Sequence, residues 1–374
     1  MIVRSLELLN YRNYETLKIE LDPGTNIFYG DNAQGKTNIL EALYLSGTTK
    51  SHRGSKDKEI ISFGSDEGHI RTLVEKKGGI FQIDIHLRKN KAKGIAVNKV
   101  PIKKAADLFG VLNIVVFSPE DLDIIKDGPQ ERRRFLDAEL CQLDKIYLSD
   151  LTNYNKALQQ RNKLLKDIYF RPELRTTLEL WDVKLVEYGC RIIERRERFI
   201  GQLDEIVRDI HLKISGGKEH LHLQYEPDVK METFTQTLAE NVEKDLRFGT
   251  TSVGPHRDDM LFCIDDIDIR KYGSQGQQRT SALSLKLSEI QLVKQSIGDY
   301  PILLLDDVLS ELDASRQNFL LNTITETQTV ITCTGLDEFV KNRFHINKVF
   351  QVEDGHVTDT IESKTVLEVE EENS

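Results

Sequence analysis

The segment Gly30-Asp31-Asn32-Ala33-Gln34-Gly35-Lys36-Thr37 constrains the fold more than any other stretch, because its pattern G-x-x-x-x-G-K-[ST] works only in one setting. A strand must run into a tight glycine loop, and a helix must lead out of it. The apolar run Asn26-Ile27-Phe28-Tyr29 predicts that strand, and Asn38-Ile39-Leu40-Glu41-Ala42-Leu43-Tyr44-Leu45 predicts the helix. The loop N–H groups and the helix N-terminus then face a polyphosphate. Lys36 is expected to reach the β- and γ-phosphates, and the Thr37 hydroxyl to ligate Mg²⁺.

Phosphate chemistry also needs a carboxylate for the metal. Pro301-Ile302-Leu303-Leu304-Leu305 reads as a core strand of a parallel sheet, and it ends in Asp306 and Asp307. Asp306 is the expected Mg²⁺ carboxylate, and Asp307 the group that orients or deprotonates the attacking water. An Asp-Asp turn after a core strand fits this stretch equally well by itself. It does not account for Lys36 in the same chain.

Tyr272-Gly273-Ser274-Gln275-Gly276-Gln277-Gln278-Arg279 precedes an apolar-periodic helix predicted over Thr280 to Lys294, which puts Ser274 and Gly276 at a second anion-ready helix start. The Ser-x-Gly-Gln core resembles the signature motif of ABC-type ATPases, and Ser310-Glu311-Leu312-Asp313 resembles their D-loop. The resemblance implies a dimer in which Ser274, Gly276 and Gln277 of one copy cap the γ-phosphate held by the other.

Between these motifs lies an insert longer than a transporter subunit has and far shorter than the arm of an SMC protein. Leu143, Tyr147, Leu151, Tyr154, Leu158 and Leu165 recur mainly at three- and four-residue steps, and the pattern resumes after Arg171-Pro172 with Leu178, Trp181, Leu185, Tyr188, Ile192, Phe199, Leu203 and Ile206. Pro172 begins a helix more readily than it continues one. A long antiparallel helical hairpin follows, each arm on the order of 50 Å.

Further segments narrow the resemblance to the bacterial RecF family. They are Leu9-Asn10-Tyr11-Arg12-Asn13-Tyr14, Ser51-His52-Arg53, Pro119 to Pro129 with Arg132-Arg133-Arg134-Phe135-Leu136-Asp137, Gly254-Pro255-His256-Arg257-Asp258-Asp259, and Leu304 to Asp313. Asp127 departs from the family segment, where a glycine is expected. The resemblance implies a recombinational repair mediator and weak ATPase. Such a protein dimerises on ATP and Mg²⁺, binds gapped, single-stranded and junction DNA without sequence preference, and acts with other mediator proteins to load recombinase. Transporter enzymes carry a glutamate where Asp307 stands, and a switch histidine that Thr329-Val330-Ile331-Thr332-Cys333-Thr334 lacks. Arg53 and Gln34 are further candidate nucleotide contacts, and the γ-phosphate sensor is left unassigned.

A net charge of -10 argues at first against DNA, but its distribution matters more. The acidic residues from Glu353 to Glu372 suggest a solvated, mobile tail. Basic groups gather at Lys50 to Lys58, Lys89 to Lys93, Lys103-Lys104, Arg132 to Arg134 and Arg191 to Arg198. Arg195, Arg196 and Arg198 have local partners available in Glu194 and Glu197. Cations at the start of a helix oppose its dipole, so Arg132 to Arg134 call for a phosphate or carboxylate partner. No helix-turn-helix or zinc spacing argues for base readout, so DNA contact is expected at phosphates.

No apolar run approaches the roughly 20 residues of a membrane span, and Met1 leads straight into a probable strand. The scattered Cys141, Cys190, Cys263 and Cys333 suit a reducing cytoplasm. The expected architecture is an α/β ABC/SMC-type P-loop ATPase head built from residues 1–118 and 248–360. A mainly helical lobe is inserted over 119–247, and 361–374 form the tail. A transporter ATPase subunit, an SMC-like organiser and a monomeric P-loop kinase are the rival readings. The insert length, the short hairpin and the signature motif respectively count against them.

Overall fold

A computed structural model describes residues 1–336 and 346–362. The chain forms two compact units, one of Met1–Asp121 with Glu289–Ser374, the other of Leu122–Ser288.

In the first unit a six-stranded sheet runs in the order His356–Glu362, Lys348–Glu353, Thr25–Tyr29, Thr329–Cys333, Ile302–Asp306, Ile114–Phe117. Every neighbouring pair is parallel except the edge hairpin formed by the first two strands. Thr329–Cys333, Ile302–Asp306 and Ile114–Phe117 are buried at every position, which is why they read as unbroken apolar runs rather than alternating ones. A second six-stranded sheet is antiparallel, and Glu67–Lys76 in it buries alternate residues as a sheet with one core face does. The helix Lys36–Thr48 packs on both sheets and is buried nearly all round, Ile39, Leu40, Ala42, Leu43 and Leu45 completely.

The parallel register brings four strand ends together. Gly30 follows Tyr29, Thr334 follows Cys333, Asp306 closes its strand, and Ser118 follows Phe117, which pairs with Leu305. Ligands of open parallel sheets bind beyond these carboxyl ends.

The second unit holds the hairpin, as Lys145–Ile168 and Leu178–Ile214 joined through the short 3-10 helix Pro172–Thr177. Its arms are unequal, 24 and 37 residues, or about 36 and 55 Å. The first arm is shorter than expected because Asp144 caps it, accepting hydrogen bonds from the N–H groups of Ile146 and Tyr147, so Pro129–Leu143 is a separate helix. Three antiparallel strands, Ile267–Asp268, Asp259–Ile264 and Leu221–Glu226, complete the unit.

Two expected boundaries change. Residues 248–288 belong with the inserted unit rather than the head, since Asp259–Ile264 pairs along its length with Leu221–Glu226, and Asp258 and Asp259 bind Arg196 and Arg132. The chain rejoins the first unit at Glu289, inside the helix Gln275–Ile297. Residues 361 and 362 complete the edge strand His356–Glu362; the rest of the expected tail, 363–374, lies outside the described residues. Among the described residues no helix is long and apolar enough to cross a membrane.

Candidate functional site

The loop after Thr25–Tyr29 turns on left-handed backbone: φ is 150° at Gly30, 66° at Ala33 and 114° at Gly35. A Cβ on Gly30 would lie 2.3 Å from the Val352 carbonyl oxygen, and one on Gly35 would lie 2.5 Å from Asn13 Nδ2. Only glycine fits either position. The opening motif builds the wall of this loop. Asn13 Nδ2 donates to the Gln34 carbonyl at 2.9 Å, Tyr14 Oη to the Gly35 carbonyl at 3.0 Å, and Asn38 Nδ2 to Asn13 Oδ1 at 2.8 Å. Gln34 Oε1 accepts the Asp354 N–H at 2.6 Å, so this side chain helps tie the loop to the edge hairpin.

Lys36 lies back across the loop, donating to the carbonyls of Gly30 at 2.6 Å and Asp31 at 2.7 Å. Among the described residues its ammonium has no carboxylate within ion-pair distance. Thr37 Oγ1 donates to Asp306 Oδ1 at 2.9 Å, across 269 residues of sequence. Thr332 Oγ1 donates to the same oxygen at 2.7 Å and accepts the Asp307 N–H at 3.1 Å. Asp306 Oδ2 is left without a protein donor among the described residues. A hydroxyl and a carboxylate meeting at the mouth of a glycine loop make a hard-oxygen pair suited to Mg²⁺.

Asp307 occupies the left-handed region at φ 54°. Burial pushes its carboxyl above the ordinary aspartate value; Lys36 opposes that shift, while Asp306 and Glu311 add to it. The D-loop-like segment is tied to the same residue. Ser310 Oγ donates to the Asp307 carbonyl at 2.8 Å, and Asp313 caps the helix Ala314–Thr323 through the Arg316 N–H.

Behind the loop, Glu41 is completely buried and fully engaged. Oε2 accepts from Tyr11 Oη and Arg12 Nε, and Oε1 from Arg12 Nη2 and Ser51 Oγ. One carboxylate on the P-loop helix thereby ties the opening motif to Ser51-His52-Arg53. The sequence signal for it was a lone carboxylate within the apolar run Ile39 to Leu45. Arg53 is exposed and, like Lys50, Lys56 and Lys58, makes no ion pair among the described residues.

In the second unit Ser274 and Gln277 form a reciprocal capping box. The Gln277 N–H donates to Ser274 Oγ at 3.2 Å, and the Ser274 N–H to Gln277 Oε1 at 2.9 Å. The spacing S-x-x-Q carried that signal, and the helix begins at Gln275 rather than Thr280 because of it. Ser274, Gln275 and Gly276 are exposed at its N-terminus.

Several arginines of the basic clusters find carboxylate or carbonyl partners within the protein. Arg132, 1% exposed, pairs with Asp259 at 2.6 Å and caps the carbonyls of Ile124 and Asp127. Arg196, 2% exposed, reaches Asp258 and Asp137, each at 2.8 Å, and Arg195 reaches Asp144 and Asp150. Local pairing with glutamate is made by Arg198, to Glu194, and by Arg191, to Glu187. The Gly254 to Asp259 motif is the other half of this lattice: Pro255 offers its carbonyl to Arg196, and His256 Nδ1 meets Tyr154 Oη at 2.7 Å.

The family model of the RecF/RecN/SMC N terminal domain matches residues 2–358. The DNA replication and repair protein RecF of Agathobacter rectalis is 66% identical over 357 residues, 96% of this chain and 99% of that one. A solved structure of the recombination mediator protein RecF with ATP, in the RecFOR pathway, has a TM-score of 0.90 and 37% identity, covering 96% of this chain and 98% of the other. The Smc head domain of Pyrococcus furiosus, solved with an extended coiled coil and the C-terminal domain of ScpA, shares the fold at a TM-score of 0.58 and 15% identity, covering 100% and 99%.

Proposed function

The chain belongs to the RecF family, with the α/β head of the wider RecF/RecN/SMC group, and from that premise we propose that it is an ATP-dependent recombination mediator of DNA replication and repair. In this reading it dimerises on ATP, binds gapped DNA and single-strand to double-strand junctions through their phosphates, and helps other mediator proteins load recombinase. It works in the cytoplasm as a weak, DNA-linked ATPase, a switch more than a metabolic enzyme.

The geometry supports the following roles. Gly30 to Thr37 cradle the phosphates with backbone N–H groups, and Lys36, with no competing carboxylate among the described residues, swings from two carbonyls to the β- and γ-oxygens. Thr37 and Asp306 hold Mg²⁺, which when bound neutralises charge between the β- and γ-phosphates. Asp307 holds the attacking water. Its raised pKa suits a proton acceptor, and its short side chain on left-handed backbone supports slow turnover. Ser274, Gly276 and Gln277 present an exposed helix N-terminus to the nucleotide of a second copy.

The single observation that carries this reading is the 2.9 Å bond from Thr37 to Asp306, which joins two motifs found independently in the sequence. Sedimentation with ATP, with ADP and without nucleotide, each with and without gapped DNA, tests it. ATP-specific dimers that retain DNA and lose it as salt rises are the expected result. A protein that stays monomeric with ATP and ignores DNA overturns it.

A further inference from the structure

The turn after the P-loop helix is anchored on several sides. Ser51 Oγ donates to Glu41 Oε1 at 2.5 Å, Arg12 Nη2 to Ser55 Oγ at 2.7 Å, and Lys93 Nζ to the Thr49 carbonyl at 2.5 Å. Between these anchors His52 stands edge-on to Tyr44, ring centroids 5.6 Å apart. Both of its ring nitrogens are buried, and neither has a hydrogen-bond partner among the described residues.

That is an expensive arrangement. Buried polar atoms in folded proteins are nearly always paired, and each one left unpaired costs about 1–3 kcal/mol. A turn held by Glu41, Arg12 and Lys93 thus keeps an imidazole with unpaired nitrogens in its middle.

The surroundings narrow what those nitrogens can meet. His52 feels the charges of Asp306, Glu41 and Glu120, and Asp306 is the carboxylate that Thr37 Oγ1 meets at the mouth of the P-loop. A second metal is a poor fit. All four acceptor positions of Glu41 are taken by Tyr11, Arg12 and Ser51, and no group of three His, Cys, Asp or Glu among the described residues is arranged to hold an ion. Burial also holds the imidazole below its ordinary pKa, leaving one N–H donor and one lone pair near neutral pH.

We propose that His52 contacts the terminal phosphoryl group of a bound nucleoside triphosphate, its ring N–H donating to a γ-oxygen, so that it distinguishes triphosphate from diphosphate. The assignment rests on the P-loop reading above and deepens it. Thr329–Cys333 has no histidine for this task, and the turn after the P-loop helix supplies one from the other side of the sequence.

The test is the affinity of the full chain, with Mg²⁺, for a non-hydrolysable ATP analogue and for ADP. His52→Ala weakens the triphosphate roughly tenfold or more, the worth of one hydrogen bond to a charged group, and leaves ADP within about twofold. His52→Asn, which keeps a donor, recovers a good part of the loss, and melting of both nucleotide-free variants checks that they fold. Equal weakening for both nucleotides makes His52 a packing residue and overturns the proposal. No change for either does so too, and leaves the ring nitrogens to an ordered water. Wild-type protein that binds neither nucleotide overturns the P-loop reading itself, an outcome distinct from the other two.

Discussion

Arg12 closes on Glu41 through two charge-assisted hydrogen bonds, Nε to Oε2 at 2.8 Å and Nη2 to Oε1 at 2.7 Å, with the glutamate side chain 0% and the arginine 20% exposed. Removing one partner of such a pair strands the other in low dielectric, at about 3–5 kcal/mol. Glu41→Gln keeps the volume and some of the hydrogen bonds, so a loss near the lower end, about 3 kcal/mol, is expected in urea unfolding. A loss below about 0.5 kcal/mol would place the pair among ordinary surface contacts.

The same carboxylate makes stability depend on pH. Burial pushes Glu41 upward, but hydrogen bonds from Arg12 and Ser51 and the charge of Arg12 outweigh it, and its carboxyl ends below the ordinary glutamate range. A carboxyl depressed on folding stabilises the protein above its unfolded pKa, and that contribution disappears as pH falls through the folded value. Melting temperature followed from pH 7 downward should therefore drop more steeply below the ordinary glutamate pKa in wild type than in Glu41→Gln. Parallel curves would show that other groups set the acid limit.

Lys36→Met should abolish ATP-induced dimerisation and remove about 1.5–3 kcal/mol of triphosphate binding, the value of a charge-assisted hydrogen bond. The nucleotide-free protein should melt nearly as before, because among the described residues the ammonium bonds only the carbonyls of Gly30 and Asp31. Sedimentation and calorimetry report the two effects separately.

Asp307→Glu lengthens the candidate water-holding group by one methylene at a residue with φ 54°. Positioned proton acceptors contribute on the order of 10²- to 10⁴-fold, so turnover should change at least tenfold while ATP affinity stays within about twofold. Unchanged phosphate release in single-turnover assays would remove Asp307 from the hydrolytic step.

Ser274 has two tasks that substitutions can separate. Ser274→Ala deletes the hydroxyl that accepts the Gln277 N–H and should cost about 1 kcal/mol of stability. Ser274→Arg adds bulk to an exposed helix start and should leave ATP binding by the monomer nearly intact while blocking the dimer. Equal loss of both would mean that the motif does not act across two copies.

The strand, loop and helix around Lys36 and the strand into Asp306 were legible because their physics is local: unbroken apolar runs and a loop only glycine can turn. Thr332 was not, since its hydroxyl matters only once parallel pairing sets it against Asp306. Arg132 and Arg196 carry the same charges as a solvated helix face, and sequence spacing says nothing of Asp258 and Asp259, more than sixty residues beyond Arg196 and more than 120 beyond Arg132. The return of the chain to the head was misjudged for a related reason, because the partner of Asp259–Ile264 lies back at Leu221–Glu226.

Thr25–Tyr29 draws its neighbours, Thr329–Cys333 and Lys348–Glu353, from the far end of the chain. On the ribosome it emerges about 300 residues ahead of the first of them, and at about 5–20 residues per second it waits roughly 15 to 60 s with both edges bare. The inserted unit has all of its strands by then, so biosynthesis delivers it ahead of the head. A message truncated between codons 30 and 329 yields no P-loop sheet, and every such fragment carries an apolar strand for chaperones to shield.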